Sequence, residues 1–244
     1  MCTSHREASP SGEIACKICT MAYRRSPFAV GEFFHCYTRG VDKRITFQDN
    51  HDYERFLQAL YVCNDTSSFD RDSVSDFFHH SILKLDRGVQ IVSVVAYCLM
   101  PNHYHLVLRE NVEGGIVRFM QKVGTMYTMY FNGKNDRIGG LFVGPFRSKH
   151  IDSDSYLRKV ISYTHLNPAE IFEPGWKDGK VQDLTTLELQ LRSYRFSSLQ
   201  DYYGIIRPER SIIDMNVVRE LNDHIPPLHN VILDAAEYYG GLRW

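Results

Sequence analysis

The sequence lacks long apolar runs, and no stretch approaches the roughly 20 residues that a membrane-spanning helix requires. Residues 1–30 include the charged side chains of Arg6, Lys17 and Arg24 and contain no apolar segment of the kind found in signal peptides. These absences argue against a membrane protein and against a secreted one. We therefore expect a cytoplasmic protein with no membrane partner.

Cysteines are also few, because six are scattered over 244 residues and form no disulfide framework. Cys16 and Cys19 make a single CxxC pair. A zinc ion there would need Cys2, His5 or a partner chain to complete four ligands. The alternative is a loosely ordered leader, since residues 1–28 show no apolar periodicity.

A surplus of basic residues is missing as well. Lysine and arginine number 28, aspartate and glutamate 29, and the net charge is −1. Proteins that bind nucleic acid through its phosphates usually show a basic surplus. A local basic face is still compatible with a neutral total. Between 137 and 159, Asp152 and Asp154 are outnumbered by Arg137, Arg147, Lys149, Arg158 and Lys159.

The order of the periodic segments predicts the fold. Alternation and β-branched runs predict strands within 31–44 (ending at Gly40), 89–100, 103–110 and 139–151. Helical spacing predicts helices at 48–65, 114–132 and 153–172, the last ending close to Leu166 because Pro168 follows. The order β-α-β-β-α-β predicts an α+β fold, a ferredoxin-like split βαβ sandwich with an antiparallel sheet and helices on one face.

The remaining segments predict extensions at both ends of this unit. We divide the chain into a leader (1–28), a main domain (29–172) and a C-terminal extension (173–244). Within the main domain, 65–78 is polar and predicts a loop, followed by a weak helical piece at 79–86. The extension is irregular apart from two predicted helices, which lie at 214–223 and 229–239.

Two histidines stand out in the strand that follows the Pro101-Asn102 turn. His103 and His105 are two residues apart, so their side chains share one face of the strand. Two imidazoles so placed can chelate one divalent ion. The alternative is that one packs in the core and the other is simply exposed.

The helix at 153–172 offers partners for such a pair. A metal site that acts on a phosphodiester needs a third ligand and a nucleophile beside the ion. Tyr163 and Asn167 are four residues apart and therefore lie on one helical face. Tyr156, seven residues before Tyr163, shares that face and is the competing nucleophile. An aromatic residue on a helix is also often simply part of the core.

Five ordered segments resemble a known family. They are "GEFFHCYTRGVDKR", "DNHDYERFL", "AYCLMPNHYHLVL", "GPFRSKHIDSDSYLRKVISYTHLNPAE" and "YRFSSLQDYYG". Together they look like the single-tyrosine HUH transposases, nearest to the REP-associated tyrosine transposases, over roughly residues 28–204. Each segment is a weak signal alone, and the specificity comes from their combination and order.

The resemblance implies a function and a set of roles. His103, His105 and Asn167 would bind Mg²⁺ or Mn²⁺, and Tyr163 would attack single-stranded DNA, giving a covalent 5′-phosphotyrosine and a free 3′-OH. Relatives often carry Gln where this chain has Asn167. The implied partner is single-stranded DNA with hairpins, and the protein would act as a monomer or a homodimer. No ATP is needed, because the covalent bond conserves the energy of the broken one.

Basic residues supply candidate DNA contacts. Strand alternation places Arg147 and Lys149 on one face, where they would contact backbone phosphates. For Arg39, Lys43 and Arg44, around the turn after the first strand, the resemblance implies contact with a DNA hairpin. The alternative for both groups is an ordinary solvated surface.

Two other functions remain open at this stage. A domesticated hairpin-binding regulator would keep the fold without cleaving DNA, and the near-neutral charge and Asn167 are compatible with it. A metal hydrolase of small molecules would require an open pocket and a general base, and the sequence offers no distinct motif for either.

Overall fold

The computed structural model describes residues 27–66, 79–179, 181–221 and 225–241. The predicted strands form one four-stranded sheet in the order β2-β3-β1-β4, with every neighbouring pair antiparallel. This is the strand order of the split βαβ sandwich, so the predicted fold class is confirmed. The strands are β1 (Phe33–Arg39), β2 (Val92–Met100), β3 (His103–Glu110) and β4 (Arg147–Ile151).

Two long helices cover one face of the sheet. They are α1 (Asn50–Val62) and α3 (Gly115–Lys134), and both were predicted. Asp49 begins α1 because its side chain accepts a hydrogen bond from the backbone N–H of Asp52. Phe56 of α1 packs on Tyr104 of β3, with ring centroids 4.6 Å apart, so this face of the sheet forms the main core.

The opposite face of the sheet receives α4 (Asp154–Leu166), so the predicted placement of helices on one face holds for α1 and α3 but not for α4. Neighbouring residues of a strand point to opposite faces, and Tyr163 of α4 contacts His105 whereas Phe56 contacts Tyr104. The helix ends at Leu166 as predicted, and a short α5 (Ala169–Phe172) follows Pro168. The contacts of α4 with β2, β3 and β4 hold it on this face.

The C-terminal segment adds helices that the periodicity showed only in part. The two predicted ones are present, as α8 (Met215–Leu221) and α9 (Leu228–Gly241). Outside this segment, the weak helical piece predicted at 79–86 is the four-residue α2 (His79–Ile82), which lies between α1 and β2. In the C-terminal segment the structure also contains helices without a clear sequence signal. Two were not predicted, namely α6 (Leu184–Ser193) and α7 (Leu199–Tyr202). Only Leu187 and Leu191 of α6 are buried, so its apolar face is too short to give a clear helical pattern.

A buried ion pair fixes the C-terminal segment to the outer edge of β2. Arg207 donates to both carboxylate oxygens of Asp201 (2.9 and 2.7 Å), to the Tyr97 hydroxyl (3.0 Å) and to the backbone oxygen of Ser197. Breaking such a pair by removing one partner costs about 3 to 5 kcal/mol, because a buried charge is left uncompensated. The pair therefore locks the segment that follows β4 and α4 onto the sheet.

Stability should fall as the solution is acidified. Two buried histidines have low pKa values, about 4 for His35 and about 3 for His165, and burial is the main cause of both shifts. The unfolded chain binds a proton at each near pH 6.5, so between pH 7 and pH 5 the unfolded state gains protons that the folded state does not. We expect urea unfolding at the two pH values to include a loss of about 2 kcal/mol from each of these two histidines.

The matched variant for this measurement is His165→Gln. His165 lies 2.8 Å from the Ser198 hydroxyl, and a glutamine amide keeps a hydrogen-bonding group there without titrating. The loss between pH 7 and pH 5 should shrink by about 2 kcal/mol in this variant. An unchanged loss would show that His165 is not the proton-linked group.

Two predictions fall on residues outside the described ranges. The CxxC pair of Cys16 and Cys19 and most of the leader lie before residue 27, and most of the predicted loop at 65–78 lies between 66 and 79. None of the helices within the described ranges is long and apolar enough to cross a membrane.

Candidate active site

Three histidines lie together on the face of the sheet that α4 covers. The β1–β3 register pairs Tyr37 with His105 and Arg39 with His103. Paired residues share a face, and His35, two residues before Tyr37, shares it too. The predicted common face of His103 and His105 is therefore what the structure shows, with ring centroids 5.1 Å apart.

Each histidine of the pair is oriented through the same ring nitrogen. The Nδ1 of His103 lies 2.7 Å from the side-chain oxygen of Asn102, and the Nδ1 of His105 lies 2.9 Å from the Nε2 of His35. An amide oxygen only accepts, so His103 donates from Nδ1 and presents the lone pair of Nε2. His105 does the same when His35 is the acceptor. This arrangement is typical of imidazoles that bind a metal through Nε2.

The histidines are uncharged at neutral pH. Burial lowers the pKa of His35 to about 4, with Lys149 adding to the effect, and holds the pKa of His105 well below its usual range. Burial also lowers the pKa of His103, although the nearby Glu170 opposes it. Neutral imidazoles keep a free lone pair, which is the state that a metal ligand requires.

Tyr163 is the tyrosine that α4 brings to these histidines. Its ring stands edge-on to His105 and to His35, with centroids 5.4 and 6.0 Å away. Burial raises the pKa of Tyr163, Glu170 adds to this, and a hydrogen bond from the Asn167 side chain opposes it. The phenol is thus protonated in the free protein and needs help to act as a nucleophile.

Asn167 lies where the helical spacing predicted, one turn after Tyr163. It is buried, and its side-chain amide donates to the backbone oxygen of Tyr163 at 2.8 Å. That bond uses one of the two NH₂ hydrogens, and the amide oxygen is the group able to bind a cation. Asn167 also keeps helical backbone angles (φ −52°, ψ −40°) although Pro168 follows, because its own side chain closes the last turn of α4.

Tyr156, the competing nucleophile, lies beside a different group. The Nζ of Lys149 is 4.9 Å from the centroid of its ring, and a hydrogen bond to the Tyr156 hydroxyl raises the pKa of Lys149. The two tyrosines therefore have different partners: Tyr163 has the histidines, and Tyr156 has a lysine of β4.

The basic residues predicted to contact DNA fall into two groups. The β1–β4 register pairs Tyr37 with Arg147 and His35 with Lys149, so both exposed cations lie on the histidine face, as does Arg39. Arg44 instead turns back, and its Nε donates to the backbone oxygen of Val41 at 3.1 Å. Lys43 is exposed in the same turn, and its φ of 57° is left-handed.

Comparisons with known proteins show a distant structural likeness. No protein-family model matches the chain, and no curated protein matches it. Among solved structures, the chain is similar to one described as the REP-associated tyrosine transposase bound to a REP hairpin, with 13% identity, a TM-score of 0.49, and coverage of 78% of this chain and 90% of the other. Values this low transfer no activity, so the candidate site rests on its own geometry.

The sequence-predicted ligands offer donor atoms of types that divalent cations use. The described ranges contain no cluster of three or more His, Cys, Asp or Glu side chains arranged to hold a metal ion. What they contain instead is two imidazole Nε2 atoms, each with its Nδ1 already bonded, and the amide oxygen of Asn167. Imidazole and amide oxygen together suit Mn²⁺ and, less well, Mg²⁺.

Four residues of this site were missed by the sequence analysis. His35 and Asn102 orient the two histidines, and Glu170 and Lys177 lie close enough to influence the pKa of His103. Strand alternation places His35 on the same face as Tyr37, which is a usable signal. For Glu170 and Lys177 the sequence gives no such signal, because both reach the site through the packing of the chain that follows Leu166.

Replacing His35 should weaken metal binding without touching the ligands themselves. His35→Phe removes the group bonded to Nδ1 of His105 and keeps a planar ring of similar size. We expect the affinity for Mn²⁺, measured by the loss of its free electron-paramagnetic-resonance signal, to fall about 10- to 100-fold. His35→Gln, whose amide oxygen can accept the same hydrogen bond, should recover most of the affinity. Equal affinity in all three proteins would contradict the role given to His35.

Proposed function

We propose that this protein nicks and rejoins single-stranded DNA by means of Tyr163. The hydroxyl oxygen of Tyr163 attacks a phosphodiester, a bond forms between that oxygen and phosphorus, and the bond to the 3′ oxygen breaks. The phenol loses its proton and the 3′ oxygen gains one, which leaves a 5′-phosphotyrosine and a free 3′-OH. Supporting this, Tyr163 is the tyrosine of α4 whose ring contacts both His35 and His105.

The histidines and Asn167 would hold the cation that this reaction needs. His103 and His105 would bind it through Nε2, and Asn167 through its amide oxygen, in keeping with the hydrogen bonds that occupy their other polar atoms. A bound Mn²⁺ or Mg²⁺ would polarise the phosphodiester and favour the phenolate. The raised pKa of Tyr163 makes such help necessary at neutral pH.

The surface around the site suits a nucleic-acid strand. Arg39, Arg147 and Lys149 lie on the histidine face, at the ends of β1 and β4 beside the site. Cations in such positions neutralise backbone phosphates and orient the strand without reading its bases. We include single-stranded DNA with hairpins as the proposed partner, in line with the sequence resemblance.

A second candidate, a hairpin-binding regulator that does not cleave, is favoured by one observation. Glu170, on the short helix after α4, adds to the raised pKa of Tyr163 and so disfavours its reactive form. A protein that binds hairpins without cleaving them needs the basic face but not a reactive Tyr163, so the carboxylate of Glu170 would not impair its function. The two candidates differ in whether a covalent bond to DNA forms.

The test is denaturing gel electrophoresis of the protein incubated with labelled single-stranded DNA that carries hairpins from the flanks of its gene. A protein-linked band that appears only with Mn²⁺ supports cleavage through tyrosine. Hairpin binding in a native gel with no covalent band supports the regulator. Neither binding nor a covalent band would contradict both functions.

A further inference from the structure

The segment that follows α4 carries a lysine to the candidate site. After α5 the chain makes a single 3₁₀ turn at Trp176–Asp178, flanked by Gly175 and Gly179, whose φ values of 93° and 78° are left-handed. Trp176 is 1% exposed and packs in a second apolar cluster with Leu166 at the end of α4. The burial of Trp176 and the two glycines hold the turn, and therefore the backbone of Lys177, against α9 and beside the end of α4.

Lys177 lies directly beside the proposed nucleophile. Its Nζ is 5.4 Å from the centroid of the Tyr163 ring and 5.8 Å from that of Trp176, so its charged end rests between two aromatic rings. The same charge acts on His103 and His105, lowering the pKa of each. Lys177 thus influences the two histidines of β3, whereas the charge of Lys149 lowers the pKa of His35 on β1.

In this structure Lys177 forms an ion pair with Glu170 of α5. The side chains of the pair are 32% and 45% exposed, and water screens ion pairs at such exposure strongly. A pair of this type is easily exchanged for another anion. Glu170 also places a negative charge where the phosphodiester of a bound strand would approach Tyr163.

We propose that Lys177 leaves Glu170 and binds the DNA phosphodiester that lies against Tyr163. The carboxylate of Glu170 holds the lysine in place while no DNA is bound and competes with the phosphate for it. The ligand class is a phosphodiester of single-stranded DNA, and the inference rests on the proposed function for the identity of that ligand. It does not require cleavage, because the contact forms on binding.

The experiment uses the full chain with Tyr163→Phe, which keeps the ring beneath Lys177 and cannot form a covalent adduct. Binding of the hairpin DNA is titrated between 50 and 300 mM NaCl in this parent and with Lys177→Met added. We expect Lys177→Met to weaken binding about 5- to 10-fold at 100 mM and to reduce the slope of log affinity against log salt by about 0.7. Adding Glu170→Gln to the parent instead should strengthen binding about 2- to 5-fold, since it removes the competing anion.

The control is Lys84→Met. Lys84 is an exposed lysine just after α2, which packs on α1 away from the histidine face, and its replacement should leave both affinity and slope unchanged. Lys177→Arg should restore the slope of log affinity against log salt to the parent value. That recovery would show that the effect of Lys177→Met comes from the lost charge and not from a loss of folding. A parent that binds DNA with the same affinity and slope as its Lys177→Met variant overturns this inference and leaves the proposed function standing. A parent that binds no DNA overturns both.

Discussion

Replacing Tyr163 by phenylalanine should remove the covalent protein–DNA adduct, to below about 0.1% of the wild-type level. The variant loses only the hydroxyl oxygen that would attack phosphorus. Its ring can still stand against His35 and His105, so the packing of α4 on the sheet is retained. Affinity for the hairpin should stay within about threefold, because the cations of the basic face are untouched. Adduct formation is measured on a denaturing gel and affinity by titration of the same DNA.

Tyr156→Phe is the matched control for that experiment. Tyr156 lies on the same helix, two turns earlier, and interacts with Lys149 rather than with the histidines. Its adduct should form at a rate within a few-fold of wild type. If instead the adduct disappears in Tyr156→Phe and persists in Tyr163→Phe, the nucleophile has been assigned to the wrong tyrosine.

Removal of His105 should abolish both metal binding and cleavage. His105→Ala takes away one proposed ligand. Loss of a residue that only hydrogen-bonds to a ligand typically lowers metal affinity 10- to 100-fold, and loss of the ligand itself should cost at least as much. We expect Mn²⁺ affinity to fall by more than about 100-fold, and adduct formation at saturating DNA to fall by a similar or larger factor. Calorimetric titration of Mn²⁺ into the protein measures the loss of metal affinity without any DNA.

Two variants separate this loss from a loss of folding. His105→Gln keeps a polar partner for His35, so it should fold like the wild type and still bind Mn²⁺ weakly. His150→Ala removes a histidine of β4 that pairs with Glu32 on the surface, and it should change neither measurement. Full Mn²⁺ affinity and full cleavage in folded His105→Ala would contradict the proposed metal site.

The sheet and its helices were predictable from the sequence because each element shows its own period. The β-branched run that became β2 is buried along its whole length, and β3 follows it across a two-residue turn at Pro101 and Asn102. The end of α4 followed from Pro168, which disfavours a continued helix. By contrast α6, with two buried leucines, has too little apolar face for its period to be visible.

The candidate site was predictable only as far as local spacing reaches. The shared face of His103 and His105 follows from the two-residue period of a strand, and the proximity of Tyr163 to Asn167 follows from the helical turn. That α4 crosses the sheet above His105 depends on long-range packing, which spacing does not encode. The approach of Lys177 depends on the burial of Trp176, and the orientation of His105 by His35 depends on a strand register set by the whole sheet.

The most direct measurement is to identify the residue that becomes linked to DNA. Trypsin cuts after Lys149, Arg158, Lys159 and Lys177, so it places Tyr156 in the peptide 150–158 and Tyr163, as its single tyrosine, in the peptide 160–177. The protein is incubated with hairpin DNA and Mn²⁺, treated with nuclease and trypsin, and analysed by mass spectrometry. We predict a nucleotide adduct on Tyr163 in the peptide 160–177. An adduct on 150–158, or bound DNA with no adduct on any peptide, would contradict the assignment of Tyr163 as the nucleophile.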